Sequence, residues 1–226
     1  MTTRHCGGWL LKVVLSVCAA WPLGGCNILG PAIYFAVGPE KAQAVYVLDK
    51  DRPTVFFIDD RANRVPQRSV RELIGTVAEK TLLDGEAARN VIESRRVQAV
   101  VARERFGKPM GIAEVGMALE AEVVIYAWID EFSLSPDGQT YLPSASLRMK
   151  VIDATTKARL FPAEGAEPWH IVTVKVPLQQ GAPPTTNTER ALAEENLARW
   201  VGRALGRQFF EHQTGLDPAR LDEKVP

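Results

Sequence analysis

The residues in this chain that could do chemistry fall into a few groups, and the first is a single thiol. Cys26 closes the run Leu23-Gly24-Gly25-Cys26, in which an apolar residue and two small ones precede a nucleophilic sulfur. Next come two pairs of adjacent carboxylates, Asp59-Asp60 and Asp130-Glu131, each at the end of an apolar run. Converging carboxylates can serve acid–base catalysis or grip a ligand, and strand ends in α/β sheets often face a binding crevice. Adjacent residues of an extended chain, however, point to opposite sides. Each pair is therefore expected to solvate a turn or cap a helix, with ligand binding at Asp59, Asp60, Asp130 and Glu131 as the alternative. His170 and His212 have no second histidine or carboxylate at ligand spacing, so no metal site is expected. Arg95, Arg96, Arg103, Arg105 and Lys108 could meet phosphate or anionic headgroups. Glu93 and Glu104 are interleaved with them, which reads instead as a solvated, salt-bridged face. The chain has no Gly-x-Ser-x-Gly, no Walker A loop, no Gly-x-Gly-x-x-Gly opening a helix and no His-Glu-x-x-His. No catalytic residue and no cofactor is expected, and the chain reads as a non-enzyme.

What lies before Cys26 gives the thiol its context. Arg4 and Lys12 form a basic start, followed by Trp9-Leu10-Leu11 and the apolar stretch from Val13 to Trp21. That is the layout of an export signal, and it is too short to span a bilayer. With its ending, the segment resembles the lipobox of bacterial lipoprotein signal peptides. The resemblance implies a diacylglyceryl thioether on Cys26, cleavage before that residue and acylation of the new amino group. It implies a signal peptide over 1–25, attachment to the membrane by lipid and a place in the cell envelope. Asn27 stands where an aspartate retains enterobacterial lipoproteins at the inner membrane, so the outer membrane, facing the periplasm, is favoured. The alternative is an ordinary secretory signal whose cleavage site precedes a cysteine.

Bulk composition agrees with export. Cys6 and Cys18 lie in the signal, so only Cys26 would remain in the mature chain. That excludes a disulfide framework and a cysteine-based metal site or nucleophile. Of the 27 basic residues, Arg4 and Lys12 are lost on cleavage, leaving 25 against 27 acidic ones. Such a balance gives no reason to expect a nucleic-acid partner. An apolar content of 46% suits a globular domain. No second apolar stretch reaches the roughly 18 residues that span a bilayer.

The elements that must position these residues follow in order. Residues 26–50 contain Gly30-Pro31 and Gly38-Pro39 and read as a tether, with Tyr34, Phe35 and Tyr46 as a first guess for a partner surface. Pro53–Asp60 reads as a buried strand. Val70, Leu73, Ile74, Val77 and Thr81 recur at helical spacing over Gln67–Leu83, stopped by Asp84-Gly85. Residues 90–93 read as a short strand, 94–106 as a helix that could also serve as a strand, and 111–120 as a helix. In the last, Gly116 on the apolar face allows close approach to a sheet. Strands are expected over 121–132, 141–153 and 169–178, with Arg159-Leu160-Phe161 able to begin another. Trp128, Trp169 and Trp200 read as core. Thr186 and Glu189 have capping-box spacing for a helix reaching His212, and 215–226 reads as a flexible tail. The expected fold is a single α/β domain over 51–214 with a mixed sheet, in the order β-α-β-α-α-β-β-β-α.

Within that order, Asn90–Glu93, Ala113–Glu122, Val123–Tyr126 and Leu147–Asp153 with Thr155-Thr156 are similar in arrangement to the CsgG-like periplasmic lipoproteins. That group includes the curli secretion subunit and the lipoprotein activators of penicillin-binding proteins. The chain departs from the group's glycine after the long apolar strand, having Ala127-Trp128, and from its threonine–glycine turn, having Thr156-Lys157. A pore would need further membrane hairpins, and 141–153 and 169–178 are required by the core sheet. The resemblance therefore implies a non-pore, envelope-assembly relative that binds another envelope protein, and an oligomer is compatible with it. A periplasmic small-ligand or glycan-binding module and an auxiliary lipoprotein of a transport system are the alternative readings.

Overall fold

A computed structural model describes residues 41–102, 109–176 and 183–214. The lipobox residues Leu23 to Cys26, Tyr34, Phe35, Arg103, Glu104, Arg105, Lys108 and the tail from 215 lie outside the described residues. Ala42–His212 forms one compact unit, and Lys41, Gln213 and Thr214 belong to a second. Short strands β1 (Lys41–Ala42) and β8 (His212–Gln213) stand apart from the main sheet.

The first buried run becomes β2 (Thr54–Asp59), with every residue buried, as befits a strand covered on both faces. Helix α1 (Arg68–Asp84) follows and stops at Gly85, as its apolar spacing and turn residues dictate. Next come β3 (Val91–Ile92), α2 (Ser94–Val101) and α3 (Ile112–Ala118). The ambiguous segment from Ser94 is thus helical, with Val97 and Val100 buried. Strand β4 (Val123–Ser133) lies parallel to β2, which is itself parallel to β3. Strand β5 (Ser144–Asp153) returns antiparallel, after Asp137 accepts the Gln139 and Thr140 N–H groups in the connecting turn.

Two strands, not one, line the far side of β5. Strand β6 (Arg159–Phe161) pairs its carboxyl half, and β7 (His170–Lys175) pairs its amino half, both antiparallel. The sheet order is β3-β2-β4-β5, with β6 and β7 sharing the last place. The expected order therefore omits three strands, β1, β6 and β8. Arg159–Phe161, which the sequence leaves able to begin a strand, does form one, and it stops before Pro162. Between β5 and β6, Lys157 takes φ 64°, a left-handed conformation that glycine adopts more readily.

Helices α1 and α4 (Asn187–Arg207) cover one face of the sheet, closing a core of Phe56, Ile58, Ile74, Leu82, Ile125, Leu147, Leu197 and Leu205. The two helices approach so closely that side chains would collide. A Cβ on Gly202 would lie 2.6 Å from the Ile74 carbonyl oxygen, and one on Gly206 would lie 2.6 Å from Thr81 Cβ. The capping box at the start of α4 forms as its spacing predicts. The Glu189 N–H donates to Thr186 Oγ1, and Glu189 accepts the Thr185 and Thr186 N–H groups. Those donors hold the Glu189 carboxyl down at about 2. The helix ends at Arg207 instead of reaching His212, because Gln208 and Phe209 close it with a tighter turn.

Helices α2 and α3 cover part of the opposite face, over Val55, Phe57, Val124 and Tyr126. Gly116 permits the close approach expected of it: a Cβ there would meet Val124 Cγ2 at 2.5 Å and Ala154 Cβ at 2.8 Å. One correction concerns the tether. Leu48 is buried in the first core, the Val45 N–H donates to the Gln208 carbonyl at 2.8 Å, and the Tyr46 ring lies 5.7 Å from that of Phe161. Residues 42–50 are thus a strap packed on the domain, because Tyr46 and Leu48 alternate inward.

Candidate functional site

The four acidic residues singled out in the sequence sit at the carboxyl ends of β2 and β4, and the pleat separates them. Asp59 and Asp60 are both buried and point to opposite sides. Asp60 accepts the Arg64 N–H at 2.7 Å and the Val65 N–H at 3.0 Å, with Arg71 Nη1 at 3.7 Å. It fixes the loop that leads into α1. Asp59 turns to the α2–α3 face, where it accepts the Tyr126 hydroxyl at 2.7 Å and pairs with Arg61 Nε at 3.2 Å. Burial first, and this hydrogen bond second, push the Tyr126 hydroxyl far above its ordinary value. Tyr126 is therefore a donor and not an acid.

Asp130 lies on the same face one strand over. Its carboxylate takes a two-pronged grip from Arg148, Nε to Oδ2 at 2.8 Å and Nη2 to Oδ1 at 2.7 Å. The register of β4 and β5 shifts between Ile129 and Glu131, leaving Glu131 opposite Ser146 and exposed. The structure thus brings Asp59 and Asp130 onto one face and leaves Asp60 on the other.

Between those two carboxylates runs a strip of alternating rings and cations. The Arg148 guanidinium sits 5.7 Å from the Trp128 ring and 5.2 Å from that of Trp169. Lys150 Nζ sits 4.3 Å from the Trp169 ring and 5.4 Å from that of Tyr126. The Tyr126 ring meets Phe57 edge-on at 5.1 Å. Burial, then Arg159 nearby, lowers the proton affinity of Lys150. The register explains the strip: Trp128 faces Arg148 and Tyr126 faces Lys150 across the β4–β5 pair, the distance at which cross-strand side chains interact. Trp128 and Trp169 are therefore half-buried under cations instead of sealed in the core. Tyr126, Arg148 and Lys150 were missed by motif reading, although their i, i+2 spacing on two strands signals a shared face.

Chemically, the strip is a self-satisfied surface. Asp130 is fully engaged by a guanidinium, and Asp59 by a phenol and an arginine, so neither stands as an open general base. A separate shallow crevice opens where β2 and β3 send the chain to opposite faces, as such switch points do. It is lined by Ile58, Arg71, Glu72, Ser94, Arg95 and Gln98 and has room for about one water, ~10 Å³. Beside it, Glu79 accepts the Ser94 N–H at 2.5 Å, and burial raises the Glu79 carboxyl above its ordinary value.

His170 meets Gln208 at 3.1 Å and His212 meets the Phe210 carbonyl at 3.1 Å. Among the described residues no group of three histidines, cysteines or carboxylates gathers as a metal site. Within the same residues, no helix is long and apolar enough to cross a membrane.

No family model and no curated protein matches the chain. Among solved structures, a PelC dodecamer from Paraburkholderia phytofirmans is similar at 12% identity, over 75% of this chain and 94% of that one, with a TM-score of 0.40. Lipoprotein GNA1162 from Neisseria meningitidis is 7% identical over 63% of this chain and 91% of its own, with a TM-score of 0.39. A putative lipoprotein from Caulobacter crescentus is 12% identical over 68% of this chain and 82% of its own, with a TM-score of 0.32.

Proposed function

We propose that the protein is a lipid-anchored cell-envelope protein whose α/β domain binds another envelope protein as a non-enzymatic assembly module. The observation that carries the reading is Leu23-Gly24-Gly25-Cys26 at the end of a basic-then-apolar segment, with no other cysteine beyond it. Cys26 is the lipidation site, residues 1–25 are the signal, and Asn27 directs the protein to the outer membrane, facing the periplasm. Cleavage leaves Cys26 as the new amino terminus, and two or more acyl chains at ~0.8 kcal/mol per buried CH₂ hold it without a spanning helix.

The non-enzymatic part of the reading is supported by how the acidic residues are used. Asp59, Asp60 and Asp130 are each consumed by internal partners. The same fact weighs against the rival reading, a small-ligand or glycan module gripped by those carboxylates. Crosslinking in intact cells followed by identification of the captured species tests the proposal. A reproducible envelope protein is the expected product. Recovery of a bound small molecule and no protein would replace the proposal with the ligand-binding reading.

A further inference from the structure

We propose that the end of the domain at the amino termini of β2 and β4 rests on the lipid bilayer, inserting Val45, Val47, Leu83 and Met117. This rests on the lipid anchor at Cys26 proposed above. Among the described residues, four of the seven large apolar side chains left exposed belong to this end. Val47 is 73% exposed, Met117 47%, Leu83 44% and Val45 37%. The fold places them at one end of the sheet, on helices and a strap that cover both of its faces. The strap carrying Val45 and Val47 is tied to Gln208 at the end of α4, and its Lys50 carbonyl accepts the Arg89 N–H just before β3. Leu83 stands in the last turn of α1, whose carboxyl end lies where β2 begins. Met117 stands in the last turn of α3, a few residues before Glu122, whose N–H donates to the Pro53 carbonyl ahead of β2.

Two observations choose a bilayer as the occupant. The chain preceding the domain enters at this end, at Ala42, sixteen residues after Cys26. At 3.3–3.6 Å per residue that segment reaches at most about 58 Å, so an anchor at Cys26 keeps this entry point within that distance of the membrane. The charged residues around the apolar ones are also of both signs: Arg89 pairs with Asp51, Arg52 with Glu122 and Asp153, and Lys80 with Asp84, while Lys50 and Glu120 are exposed beside them. A rim of mixed sign suits shallow insertion into headgroups, without selection for one lipid charge.

The lipidated full chain in phosphatidylcholine vesicles provides the test, because with Cys26 acylated an introduced cysteine is its one free thiol. A fluorophore is attached at Val47→Cys, Met117→Cys or, as the control, Leu192→Cys on α4, where the native side chain is 62% exposed. Nitroxide-bearing lipids are expected to quench the labels at 47 and 117 roughly three-fold more than the label at 192. Equal quenching at all three positions overturns the proposal. So does a label at 47 that is shielded from aqueous iodide but untouched by nitroxide lipid, since a protein partner or a second copy then covers this end. Flotation separates the two readings: protein that fails to float defeats the anchor and this inference together, whereas protein that floats with position 47 unquenched defeats this inference alone.

Discussion

Tyr126 and Asp59 form a buried polar contact, a phenol donating to a carboxylate at 2.7 Å. Removing the hydroxyl leaves the carboxylate with Arg61 alone, so Tyr126→Phe is expected to destabilise by about 1–3 kcal/mol, read from chemical denaturation. An unchanged midpoint would mean that water replaces the phenol without cost. Asp153 makes the matching contact at the other end of the sheet, accepting the Thr156 N–H at 2.7 Å and Arg52 Nη2 at 2.8 Å. The Thr156 N–H above all, with Arg52 assisting, lowers its carboxyl below the ordinary 3.8. A group with a lowered folded value stabilises above its unfolded value and loses that contribution as pH falls through the folded one. Asp153→Asn is therefore expected to cost roughly 1–3 kcal/mol at neutral pH. The gap to the parent protein should close below about pH 4, and a gap independent of pH would assign the loss to packing. At this scale the sequence is legible only in part. Asp59 and Asp60 stand out by type, but that one is tied to Tyr126, sixty-seven residues away, and the other to its own loop depends on register and pleat.

Elements are where local rules succeed, and their failures have identifiable causes. The periodicity of α1, the capping box of α4 and the alternation of Leu147, Met149 and Val151 in β5 each reappear in the fold. What goes astray depends on contacts between distant segments. The strap over 42–50 reads as a linker because its two inward residues, Tyr46 and Leu48, find Phe161 and the first core only in three dimensions. That β6 and β7 share one partner, β5, is likewise set by pairing across the sheet and not by local composition. Helix packing gives a direct check at this scale. Gly202 and Gly206 recur four apart on the α4 face that meets α1, with no room for a side chain. Gly202→Ala forces a methyl toward the Ile74 carbonyl and should cost about 1–3 kcal/mol by overpacking. A gain in stability, through ordinary helix propensity, would show that the two helices slide apart freely.

For the whole molecule, the two ends of the sheet have different characters. Where β2 and β4 begin lie the chain's entry, the strap and the exposed apolar residues. Where they finish lie Asp59, Asp130 and the strip of Trp128, Arg148, Trp169 and Lys150. With the proposed lipid anchor at one end, the other end is the one free to meet a partner, so the strip is the first place to look for crosslinks. Every part of that account depends on Cys26. The decisive measurement is metabolic labelling with radioactive palmitate, combined with membrane fractionation, for the parent protein and Cys26→Ser. The account predicts a labelled, membrane-bound parent and an unlabelled variant released from membranes. A variant that still carries label, or stays with the membrane as the parent does, would contradict it.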